Sequence, residues 1–139
     1  MEYPPWAQSP CIMFVDHHED LRMCVKQILE REGFKVLTAR NSIEALVMAA
    51  DYPLAIDVLI SESASRIYQN GLELAACFAI LRPETRVLLT TEPESIQEDD
   101  QSSREMAEWE SLAKPFSKSQ LVRAATRAAD MDYRHSQAA

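Results

Sequence analysis

Ile56-Asp57-Val58-Leu59-Ile60-Ser61-Glu62 is an apolar run that ends on a carboxylate. A short, continuous apolar run of this kind predicts a strand buried on both faces, over residues 56–61. Glu62 then sits at the strand's mouth. Asp57 lies at its other end, because each residue of a strand advances the chain by about 3.3 Å. An acid just past the carboxyl end of a buried strand is where an open α/β sheet builds its site.

The flanking sequence repeats the theme. Residues 11–15 form a second apolar run, followed by Leu21, Cys24, Val25, Ile28 and Leu29 at the spacing of a helix that buries one stripe. Gly33 supplies a left-handed stop, and residues 35–39 predict another strand. Asn41-Ser42-Ile43-Glu44 has capping-box spacing, with Ile43, Leu46, Val47 and Ala50 expected to face inward from the helix it opens. Beyond Asn70-Gly71, residues 72–81 predict a helix stopped before Pro83, and residues 86–91 a strand.

Residues 95–109 are read as a helix on the strength of the acids Glu98, Asp99 and Asp100, which suit a helix amino terminus. Residues 110–113 predict the last strand. Ser117-Lys118-Ser119-Gln120 is a second capping box, opening a helix to about Ala129. Five strands alternating with five helices imply a doubly wound parallel sheet covered on both faces. The expected layout is one domain over residues 11–130, with flexible tails at 1–10 and 131–139.

Composition narrows the function. A chain of 139 residues with formal charge -8 has the length of one domain and disfavours nucleic-acid binding. Cys11, Cys24 and Cys77 are odd in number and widely spaced, so packed thiols are expected rather than a disulfide framework or zinc knuckle. No apolar stretch approaches a membrane span, and residues 1–10 lack a signal-peptide pattern, so a cytoplasmic location is expected. With Gly33 and Gly71 as the two glycines, no phosphate-cradling loop of a dinucleotide or flavin enzyme is present.

Residues at the strand ends carry a resemblance. Ile12-Met13-Phe14-Val15-Asp16, the run ending at Glu62, Asn70-Gly71-Leu72-Glu73-Leu74-Ala75, Arg82-Pro83, Val87-Leu88-Leu89-Thr90-Thr91 and Lys114-Pro115-Phe116-Ser117 follow in order. Together they resemble the receiver domain of bacterial response regulators, the CheY-like fold with flavodoxin-type strand order 2-1-3-4-5. The resemblance covers residues 11–129.

It implies an acyl-phosphate chemistry. In that family an aspartate on the third strand takes a phosphoryl group from a histidine kinase, magnesium is held by acids, and a lysine and a hydroxyl meet the phosphoryl group. Carried over, Glu62 occupies the acceptor position, Asp16 is the first acid, and His17 replaces the second. Thr91 matches the hydroxyl, Lys114 the lysine, and Ser111 the aromatic switch. The loop over residues 63–69 lacks the usual Met-Pro.

The departures fall on the reacting groups. One methylene displaces a carboxylate by roughly 1.5 Å, and a misplacement of about 1 Å already costs on the order of a hundredfold in rate. Magnesium asks for oxygen ligands, which an imidazole is not. The Glu62 and Lys114 pairing admits three readings: a weak acceptor, an ion pair that sets one permanent conformation, or a carboxylate without a role. Geometry favours the second, since the longer side chain reaches toward Lys114.

The function implied is phosphorylation-independent signalling by protein contact, without a cofactor and without an attached output domain. Its partners would be signalling proteins, a histidine kinase or an output protein, and residues 95–129 would be the interaction face. The alternative is a receiver phosphorylated on Glu62, with Mg2+ held by Asp16 and Glu62. His17 and His18 suggest a transition metal or a pH sensor, against a plain expectation of a solvated pair at a helix start. On the helix over residues 72–81, Leu72, Ala75, Ala76, Ala79 and Ile80 form one apolar stripe and Leu74, Phe78 and Leu81 another. A homodimer or docking surface near Cys77 is weighed there against a core helix with small exposed residues.

Overall fold

A computed structural model describes residues 9–63, 71–92 and 109–138. The elements in chain order are β1 (Cys11–Val15), α1 (Glu19–Arg31), β2 (Lys35–Ala39), α2 (Ser42–Asp51) and β3 (Val58–Glu62). They continue with α3 (Gly71–Leu81), β4 (Arg86–Thr91), β5 (Glu110–Ala113) and α4 (Lys118–Ala138). The five strands form one parallel sheet in the order β2-β1-β3-β4-β5. The helix expected over 95–109 and the loop of 64–69 fall outside the described residues, apart from Trp109 at the helix's expected end.

Alternation along the strands divides the core into two layers. Ile12, Phe14, Val58, Ile60 and Leu88 point to one face, where Val25 and Leu29 of α1 and Leu121, Ala125 and Ala128 of α4 cover them. Cys11, Met13, Val15 and Leu59 point to the other, under Ala45 and Ala49 of α2 and Leu74 and Phe78 of α3. Both faces are apolar, so the central strands carry unbroken hydrophobic runs.

Local signals explain the helix ends. Gly33 takes φ 95, the left-handed conformation that ends α1 without a Cβ penalty. Asn41 Oδ1 accepts from Glu44 N–H at 2.8 Å, while the Glu44 carboxylate accepts from Arg40 N–H and Nε instead of closing on Asn41. At α4 the box is reciprocal: Gln120 N–H donates to Ser117 Oγ at 3.1 Å, and Ser117 N–H to Gln120 Oε1 at 2.8 Å.

Several expectations are corrected. In α2 Ala45 and Ala49 are buried and Leu46 packs against the core as expected, but Ile43 and Val47 are exposed at 74% and 64% and Ala50 is exposed too. Small residues let that helix lie close to the sheet, which turns the larger pair outward. Cys24 of α1 is exposed as well, so Cys11 is the one fully packed thiol of the three. In α3 a single stripe, Leu74, Ala75 and Phe78, is buried, and Ile80 and Leu81 stand exposed at 81% and 60%. Helix α4 runs to Ala138, well past the expected stop near Ala129. Among the described residues, no helix is long and apolar enough to cross a membrane.

Candidate functional site

The carboxyl ends of β1, β3 and β5 bring Asp16, Glu62 and Lys114 together. Sheet register does this: Val15 lies beside Ser61, and Thr91 beside Ala113, so the residues that follow emerge at one edge. Asp16 N–H donates to Ala39 O, Arg22 Nη1 donates to Asp16 O at 2.7 Å, and Lys114 N–H donates to Thr91 O at 2.7 Å. The backbone on either side of the site is therefore held independently of the site's own side chains.

Lys114 Nζ donates to Asp16 Oδ2 at 2.7 Å and to Glu62 Oε1 at 3.2 Å, with Glu92 Oε1 at 3.7 Å. The Asp16 side chain is fully buried, and those of Glu62 and Lys114 are 14% and 12% exposed. Burial by itself would lower the Lys114 ammonium. The hydrogen bond and charge of Asp16, then those of Glu62, outweigh it and hold Lys114 above the ordinary lysine range.

The remaining carboxylate oxygens face two imidazoles. Glu62 Oε2 meets His17 Nδ1 at 2.7 Å and accepts from His17 N–H at 3.2 Å. Asp16 Oδ1 meets His18 Nδ1 at 2.9 Å and accepts from His18 N–H at 2.8 Å. The rings lie 3.7 Å apart between centroids and are tilted by 40°. Adjacent residues present both rings to one cluster because His18 is the extended N-cap of α1, where the chain turns from strand to helix. The expected pair at a helix start is present, with His17 and His18 partly exposed, and both rings are also engaged by carboxylates.

Thr91 ends β4 at the same sheet edge, beside Ala113 and accepting from Lys114 N–H. Glu62 pairs in register with Thr90, and both share the face of Ile60 and Leu88. Thr91 alternates to the opposite face with Val87. Thr90 Oγ1 is buried without a hydrogen-bond partner among the described residues. Ser111 lies beside Leu89, on an exposed part of β5.

Comparisons agree with this architecture. The response regulator receiver domain family matches residues 12–126. The chain belongs to that family. It is 30% identical over 123 residues to the C4-dicarboxylate transport transcriptional regulatory protein DctD of Rhizobium meliloti (strain 1021), covering 88% of this chain and 26% of DctD. The chain thus spans about a quarter of the length of that curated relative.

Two solved structures are similar in fold. A response regulator receiver domain protein from Clostridium thermocellum has a TM-score of 0.72 at 23% identity, covering 89% of this chain and 97% of that one. The chemotaxis response regulator CheY4 of Vibrio cholerae has a TM-score of 0.71 at 24% identity, covering 87% and 99%. Receiver-domain signalling is accordingly the class of function.

Proposed function

We propose that this receiver signals by protein contact as an atypical member, with Glu62 in place of the acceptor aspartate and a conformation that does not depend on phosphorylation. One observation carries the reading. All four oxygens of Asp16 and Glu62 already have partners, with Lys114 on the inner pair and the His17 and His18 imidazoles on the outer pair. Glu62 reaches Lys114 directly, so the ammonium that would meet a phosphoryl group is already neutralised. His17 in place of the second acid makes the donor set a poor fit for Mg2+, which asks for oxygen ligands in octahedral array.

Incubation with Mg2+ and a small phosphodonor, followed by intact-mass measurement, tests the reading. No adduct is expected. A phosphoryl group located on Glu62 overturns it in favour of an ordinary phosphorylated receiver. The double substitution Glu62→Asp with His17→Asp supplies the control, because it restores both acids and is expected to gain Mg2+ binding.

The reading includes contact with a kinase or an output protein, and self-association through α3 is part of it. Ile80 and Leu81 leave apolar surface at the end of that helix. Sedimentation as a monomer at every micromolar concentration removes the self-association and leaves the remainder.

A further inference from the structure

We propose that Asp16, His17, His18 and Glu62 form a site for one transition-metal dication of the zinc type. The inference deepens the reading above and rests on the same pocket. One ligand atom from each of the four residues lies within 4.8 Å of the other three. Two are imidazole nitrogens and two are carboxylate oxygens, a mixed set that suits zinc or cobalt and not magnesium.

The division of the carboxylate oxygens carries the argument. Lys114 occupies Asp16 Oδ2 and Glu62 Oε1, while Asp16 Oδ1 and Glu62 Oε2 face His18 Nδ1 and His17 Nδ1. The outer four atoms can therefore ligate an ion without expelling the ammonium. Each neutral ring would hold its proton on Nε2 and give the Nδ1 lone pair to the ion, which replaces two N–H···O bonds by four metal bonds. Lys114 stays on the inner oxygens and orients both carboxylates, as outer partners of metal ligands do.

Distances and exposure are compatible with entry. A tetrahedral zinc with bonds of about 2.0–2.1 Å separates neighbouring ligands by about 3.3 Å. The present imidazole–carboxylate contacts are 2.7 and 2.9 Å, so each of these pairs opens by about 0.4 to 0.6 Å, while any wider pair, none beyond 4.8 Å, closes toward that spacing. The His17 and His18 side chains are 30% and 52% exposed, which leaves them room to turn and the ion an open side. The acids stay in place, since the backbone N–H groups of His17 and His18 already hold the same two oxygens.

The test uses the untagged full chain, stripped of metal by a chelator and titrated with Zn2+ by calorimetry and with Co2+ by visible absorption. The expected result is one ion per chain and the intense band of four-coordinate cobalt, quenched by Zn2+ and unaffected by a large excess of Mg2+. His17→Asn and His18→Asn, shown by circular dichroism to be folded, are each expected to weaken binding at least about tenfold. No stoichiometric binding, binding that survives both substitutions, or equal competition by Mg2+ overturns the site. Such a failure leaves the phosphodonor result untouched, and a phosphoryl adduct on Glu62 defeats the functional reading without deciding the metal titration.

Discussion

Glu62 and Thr90 stand side by side across β3 and β4, with the Thr90 hydroxyl buried and without a hydrogen-bond partner among the described residues. An unpaired buried hydroxyl costs about 1–3 kcal/mol. Thr90→Val removes the hydroxyl at little change of shape, and is expected to raise stability by about 1 kcal/mol. Urea denaturation checks this, and a loss of stability would show that the hydroxyl has a partner in solution.

Lys114 answers the buried Asp16 and the partly buried Glu62 at once. Lys114→Met is expected to cost about 3–5 kcal/mol, the usual effect of removing one partner from a buried ion pair. Denaturant midpoints of the two proteins at neutral pH measure it.

Alkaline pH should weaken the same contact. Because the folded-state value of Lys114 is raised above the ordinary 10.5, its contribution is fully present below that pH and is lost as pH rises through the folded value. A thermal-melt series from pH 8 upward, within about three units of the lysine range, should show wild type falling more steeply than Lys114→Met.

Cys11 and Cys24 should differ in reactivity. Burial, only partly offset by the Tyr52 hydrogen bond, pushes the Cys11 thiol up from 9.0 to about 11, and Cys24 is exposed. The thiolate is the reactive form, so alkylation at neutral pH followed by peptide mapping is expected to label Cys24 and spare Cys11 in the folded protein.

Arg82 ties the end of α3 to the turn after α2. Its guanidinium donates to Ala49 O at 2.7 and 3.2 Å, to Tyr52 O at 2.8 Å and to Leu54 O at 3.0 Å. Arg82→Ala is expected to cost at least about 2 kcal/mol, and Arg82→Lys to recover little, because a single ammonium cannot span three carbonyls. Equilibrium denaturation of both variants decides it.

Sequence by itself determined the fold class and the strand ends that meet. Unbroken apolar runs, two capping boxes and Gly33 are local signals, and a parallel sheet follows once strands and helices alternate. It also marked Asp16, Glu62 and Lys114, since each directly follows or ends an apolar run. Tertiary structure decided which face each residue takes and which atoms pair. Thr90 stands beside Glu62 because register between separate strands sets it, and a slip of one residue exchanges the faces. Ile43 and Val47 face outward because two alanines sit closest to the sheet, a packing choice that periodicity does not encode. The engagement of His17 and His18 depends on the turn from β1 into α1 and on a carboxylate 45 residues away in the chain. Long-range pairing of that kind is a property of the assembled sheet.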